Sequence, residues 1–209
     1  MGMEKSSATA NLSVDQVRLD RILLVPGFCE PRWLLWPIQR ALSDCADCVE
    51  IWHDDRIRRK LERSIAKLQE SLATWSSKQQ RVAIVTHSFG DWITRQALAR
   101  SQDHSVHALA SIAPIIAASP IARVLQCLGG NWVSEVPVMA NRERASEFAT
   151  VSPAVRRLVI WGVADPWVRP YPFAEAVNQK VEHVCATHLS VVLQPAIHRR
   201  VRRFLLHET

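Results

Sequence analysis

The stretch RVAIVTHSFGDWITRQALAR, Arg81 to Arg100, decides the fold. RVAIVT at 81–86 is a short run of mostly apolar, partly β-branched residues bounded by polar ones, the pattern of a strand buried in a parallel sheet. A helix is expected from Phe89 to Arg100, so only His87 and Ser88 separate the two elements. A strand that passes so directly into a helix turns sharply, and the residue at the apex stands clear of the sheet edge. That residue is Ser88.

On either side the chain repeats the alternation. RILLV at 21–25 is a strand closed by Pro26-Gly27, and a helix follows at 32–43 with Leu34, Leu35, Ile38 and Leu42 on one face. CVEIW at 48–52 is the next strand. Ile57, Leu61, Ile65, Leu68, Leu72 and Trp75 then recur at intervals of three and four, laying one apolar stripe along a helix at 57–75. Further strands are expected at 106–113, 155–161 and 181–185, and Ile197, Val201, Phe204 and Leu205 mark an amphipathic closing helix. Strands separated by helices specify an α/β protein with a mainly parallel sheet of about six strands and helices on both faces, a three-layer α/β/α sandwich. Residues 1–20 read as a polar N-terminal tail and 21–209 as a single domain. Within it, an excursion at 114–153, with helices at 120–128 and 142–149, leaves the sheet at a strand end, where substrate walls are commonly carried.

Composition narrows the function. With 209 residues, 48% hydrophobic and 22% charged, the chain can close a core, which excludes a disordered or fibrous class. The net charge of +6 resides largely on helix faces, at 58–60 and 199–203, with no nucleic-acid-binding motif around it, so no nucleic-acid partner is expected. No run approaches the apolar length of a transmembrane helix and the first 20 residues lack a signal-peptide core, which predicts a cytoplasmic protein; Gly2 and Ser6 match the short myristoylation pattern only formally. The five cysteines are odd in number, and Cys45-x-x-Cys48 has no second pair at zinc-site spacing, so neither a disulfide framework nor a metal is expected.

A serine hydroxyl becomes a useful nucleophile when a histidine takes its proton, and acyl transfer needs N–H donors for the oxyanion. On this fold the partners follow the serine in the order acid, then histidine. Asp165 follows the strand at 155–161 and His188 follows the strand at 181–185, which puts both at the sheet edge that carries Ser88. Ser88, Asp165 and His188 are therefore the expected catalytic residues. The amides of Phe28, after Gly27, and Phe89, at the start of a helix, are the expected oxyanion hole. Trp33, Trp132 and Trp167 are candidates for an apolar substrate pocket. His183 and His198 read as structural, His53 could also reach the sheet edge, His87 should point away from the serine, and Glu135, Glu143 and Glu147 are reserve acids.

RILLVPGF, VTHSFGDWITRQAL, ASPIARVL, GVADPWV and ATHLSVVLQPAIHRRVRRFLLH together resemble the bacterial α/β-hydrolases related to lipase class 2 and EstA-type esterases, from about Arg21 to the C-terminus. The resemblance implies an α/β-hydrolase fold, the triad Ser88, Asp165 and His188, and hydrolysis of a small-molecule carboxylic ester with an apolar moiety, without a cofactor. Three positions depart from the pattern: Pro26 stands where a His is usual, Thr86 replaces the first Gly of G-x-S-x-G, and Asp91 replaces the second Gly of the serine turn. A thioesterase or acyltransferase would use the same residues, and a non-catalytic binding protein could keep the same fold.

Overall fold

The computed structural model describes residues 18–55, 60–101, 103–174 and 176–206. Residues 1–17 of the expected tail, with Gly2 and Ser6, lie outside these residues, as does Ile57. Strand β1 (Leu19–Val25) is followed by a 3-10 turn (Arg32–Leu35) and α1 (Trp36–Ala41), then β2 (Ala46–Ile51), α2 (Leu61–Ser77), β3 (Val82–His87), α3 (Phe89–Arg100) and β4 (Val106–Ile112). The excursion holds α4 (Pro120–Cys127), a second 3-10 turn (Gly130–Trp132), α5 (Glu135–Ala140) and α6 (Arg142–Ser146). β5 (Arg156–Gly162), β6 (Gln179–Val184), α7 (Ser190–Leu193) and α8 (Pro195–Leu205) complete the described chain.

The six strands form one sheet in the order β2-β1-β3-β4-β5-β6, every neighbouring pair parallel. Crossovers of one hand then dictate the layers. The step from β1 to β2 runs opposite to the step from β3 to β4, so α1 and α3 cover opposite faces. Accordingly α2 packs on α3, which rests on β1 and β3, while α1 packs on α8, which rests on β4. The direction of winding reverses between β1 and β3, and the crevice beyond their carboxyl ends is the place where open α/β sheets hold ligands.

Local sequence accounts for the departures in helix extent. The helix expected at 32–43 is split, because Pro37 sits in the first turn of α1 and its ring disfavours a continuous α-helix through the preceding residues. Its intended apolar face survives: Leu34, Leu35, Ile38 and Leu42 are all buried. Within α2, Ile65, Leu68, Leu72 and Trp75 are buried along one stripe. α4 starts on Ser119, whose hydroxyl accepts from the Ala122 N–H at 3.3 Å. The helix expected at 142–149 is shorter than that, ending at Ser146. α5 had no distinct periodicity in the sequence, yet it buries Val136, Val138, Met139 and Ala140, largely against α4.

Candidate active site

Ser88 occupies the turn between β3 and α3 with φ 53° and ψ −122°. A non-glycine residue held there costs on the order of 1–3 kcal/mol, so the surrounding structure must impose it. Three hydrogen bonds do: the Ser88 N–H donates to the Ile112 carbonyl at 3.0 Å, and the Ser88 carbonyl accepts from the Asp91 N–H at 3.2 Å and the Ile115 N–H at 3.3 Å. Close backbone approach adds to the constraint. A Cβ on Gly90 would lie 2.4 Å from the Val25 carbonyl oxygen, and one on Gly27 would lie 2.8 Å from the Ser88 Cβ. Both positions therefore require glycine for room, whatever their backbone angles.

The two odd residues of the serine turn belong to one buried network. Asp91 is fully buried in α3 and accepts from Ser111 Oγ at 2.6 Å, Arg95 Nε at 2.7 Å and Arg157 Nη2 at 3.1 Å. Thr86 turns its hydroxyl to the same carboxylate at 3.4 Å. Burial alone would raise the Asp91 pKa, but the Arg157 and Arg95 guanidiniums outweigh it and hold the carboxyl below its ordinary range. Arg95 also reaches the Ile115 carbonyl at 2.9 Å and the Ala145 carbonyl at 3.0 Å. Trp92 Nε1 donates to the Arg144 carbonyl at 2.8 Å, so the excursion is tied to the helix that begins at the serine.

Asp165 sits in the loop after β5. Its Oδ1 accepts from the Trp167 N–H at 2.7 Å and the Val168 N–H at 3.2 Å, which fixes the carboxylate in a turn. Its Oδ2 is 2.7 Å from His188 Nδ1, and His188 Nε2 is 2.9 Å from Ser88 Oγ. Gly162 makes this loop pairing tight, since a Cβ there would meet the Ala186 carbonyl at 2.6 Å. With Nδ1–H donating to a carboxylate, Nε2 of a neutral His188 is left as an acceptor for the serine hydroxyl. Burial and, less strongly, the charge of His87 push the His188 pKa down, while the hydrogen bond to Asp165 pulls the other way; the net shift is below the ordinary histidine value. Ser88, Asp165 and His188 thus form one hydrogen-bonded line that is 5 to 7% exposed at each residue.

Phe89 is the first residue of α3, where a backbone N–H has no intrahelical acceptor, and Phe28 lies in the loop after β1 beside Gly27. Trp167 stacks on the His188 ring at a centroid distance of 5.9 Å. Trp33 and Trp132 are 57% and 70% exposed, on the first and second 3-10 turns respectively. His53 is exposed beyond β2, His183 is exposed on β6, and His198 is buried with Nε2 2.7 Å from the Val192 carbonyl. Of the reserve acids, Glu143 is exposed on α6, Glu135 is buried in α5, and Glu147 accepts from Gln96 Nε2 at 2.8 Å. The cysteines of the C-x-x-C each receive an arginine: Arg202 donates to Cys45 Sγ at 3.3 Å and Arg21 to Cys48 Sγ at 3.1 Å.

Sequence reading missed Glu30. Its Oε2 accepts from the Gly27 N–H and from His87 Nδ1, the latter at 2.8 Å. The His87 ring nitrogens meet groups other than the serine hydroxyl, Nδ1 facing Glu30 and Nε2 lying 3.0 Å from the main-chain carbonyl of His188. The available signal was an acid placed four residues after Pro26, in the loop that also holds Gly27.

No protein-family model and no curated sequence matches the chain. Solved structures do. A lipase B of Aspergillus fumigatus superposes with a TM-score of 0.69 at 16% identity over 95% of this chain and 55% of its own. A metagenomic carboxyl esterase gives 0.58 at 18% identity over 71% of this chain and 51% of its own. An enol-lactonase of Burkholderia xenovorans gives 0.60 at 15% identity over 90% and 92% of the two chains. The chain spans about half the length of the first two. With the parallel order β2-β1-β3-β4-β5-β6 and the sharp turn at Ser88, these likenesses define the α/β-hydrolase fold.

Proposed function

We propose that the protein is a serine hydrolase that cleaves carboxylic esters through an acyl-enzyme on Ser88. The observation that carries this reading is the continuous line Ser88 Oγ, His188 Nε2, His188 Nδ1, Asp165 Oδ2, with its two contacts at 2.9 and 2.7 Å. Ser88 Oγ attacks the ester carbonyl while His188 takes its proton. Asp165 keeps the proton on Nδ1 and stabilises the imidazolium that forms. The amides of Phe28 and Phe89 receive the oxyanion, the alcohol leaves with the proton held by His188, and water attacks the acyl-enzyme by the same route in reverse. None of these steps draws on a metal or cofactor.

The substrate is a small ester with an apolar part, favoured by Trp167, whose ring stacks on that of His188; Trp33 on the first 3-10 turn and Trp132 on the second offer further exposed aromatic surface. A fluorophosphonate probe should label wild-type protein at Ser88 and leave Ser88→Ala unlabelled. Failure to label a folded, monodisperse wild type, together with no turnover of p-nitrophenyl esters, would favour a non-catalytic binding protein. Turnover of acyl thioesters in preference to oxygen esters would move the reading to a thioesterase with the same residues. Among the described residues no helix is long and apolar enough to cross a membrane.

A further inference from the structure

Glu30 and His87 lie outside the line of three but contact the Gly27 amide on one side and the His188 carbonyl on the other. Glu30 is 5% exposed and His87 is 2% exposed. His87 faces an acceptor at each ring nitrogen, the Glu30 carboxylate at 2.8 Å and the His188 carbonyl at 3.0 Å. Satisfying both acceptors with N–H donors requires the doubly protonated ring. Glu30 Oε2 in turn has two donors, the Gly27 N–H and His87 Nδ1, which suits an ionised carboxylate. Glu30 Oε1 is buried without a hydrogen-bond partner among the described residues. A buried ion pair with an oxygen left unsatisfied is a poor device for stability, and such pairs concentrate at functional sites.

We propose that Glu30 and His87 form a positioning ion pair for the hydrolytic site: Glu30 anchors the Gly27 amide of the oxyanion loop, and His87 anchors the backbone of His188 while setting a fixed positive charge against its ring. The rings of His87 and His188 are 4.8 Å apart between centroids. The role in catalysis rests on the function proposed above, whereas the ion pair itself does not.

The charged and titratable groups facing His87 are Glu30, His188 and Asp165. Burial opposes its charge, yet the charge of Glu30, the hydrogen bonds to Glu30 and the His188 carbonyl, and the charge of Asp165 prevail, so its pKa is raised. Toward His188 the imidazolium acts in the opposite sense. Its repulsion exceeds the attraction of Glu30, so the pair as a whole keeps His188 neutral to lower pH. One carboxylate therefore couples the oxyanion loop, the nucleophile turn and the base.

The test is a titration of the histidine side chains by NMR in the full chain, with kcat/KM against pH measured in parallel. In the wild type His87 should keep the shifts of an imidazolium through neutral pH while His188 titrates below it. In Glu30→Gln, His87 should become neutral at pH 7 and the His188 midpoint should rise by on the order of one pH unit, a roughly ten-fold loss of kcat/KM on the acid limb. His87→Gln should move the limb in the same direction. A merely structural role would lower the plateau and leave the limb where it was. Wild-type His87 titrating as an ordinary neutral imidazole, or a His188 midpoint unmoved in both variants, would overturn the proposal. Should Glu30→Gln fail to fold, the wild-type His87 titration and His87→Gln still decide it. The expected titrations in a wild type that hydrolyses no ester would support the ion pair and count against the function instead.

Discussion

Gly27 and Ser88 are packed so closely that a methyl group on Gly27 would stand 2.8 Å from the Ser88 Cβ and 3.1 Å from Glu30 Oε2. The loop after β1 and the turn at Ser88 are thus a single close-packed unit. Gly27→Ala is expected to lower kcat by at least ten-fold through displacement of the Phe28 amide, with a smaller change in KM. Steady-state kinetics beside a thermal melt would check this, and a variant with wild-type kcat would show that the loop yields without harm.

The two oxygens of Asp165 serve different masters, Oδ1 the Trp167 and Val168 amides and Oδ2 the His188 ring. Asp165→Asn should leave the turn largely intact through Oδ1 while presenting an amide that no longer enforces the Nδ1–H tautomer. The expected loss in kcat is about 10⁴-fold, the size seen when a triad acid is made neutral in place. Retention of more than a tenth of the activity would require another acid to act.

Hydrolysis should follow the protonation of His188, which must be neutral to accept the serine proton. Burial and the His87 charge lower its pKa, so kcat/KM should rise with pH along an acid limb centred below 6.5 and be level at neutral pH. A limb centred above that value would contradict the proposed role of a neutral, buried His188 as the base.

Asp91 compensates two buried arginines, Arg95 and Arg157. Asp91→Ala should destabilise the protein by about 3–5 kcal/mol, because it strands both guanidiniums away from water. Chemical denaturation measures this directly. The sign of the pH effect follows from the lowered carboxyl pKa: the contribution of Asp91 is complete above the unfolded value of 3.8 and is lost as pH falls through the lower folded value. The wild type should therefore lose stability below that point, and Asp91→Ala should show a shallower loss there.

How far the sequence reached can be judged from single residues. Strand β3 running into α3 through one serine was legible because apolar periodicity changes from that of a strand to that of a helix within two residues. Leu34, Leu35, Ile38 and Leu42 likewise announced their buried face, but the break at Pro37 moved the helix start, and α5 was invisible because its apolar residues gain their meaning only from α4. Thr86 and Asp91 read as departures from a motif; in three dimensions they meet Ser111, Arg95 and Arg157 in one network.

By itself the sequence determined the chain order of the six strands, and with it the sheet edge at which Ser88, Asp165 and His188 would emerge, since local periodicity and chain order are properties of neighbours along the chain. The tertiary structure decided what those residues touch. Glu30 and His87 are 57 residues apart, and His87 and His188 are 101 apart, so no local pattern links them. Only the adjacency of β1 and β3, and the return of the chain after β6, brings the carboxylate, the two imidazoles and the serine to one place.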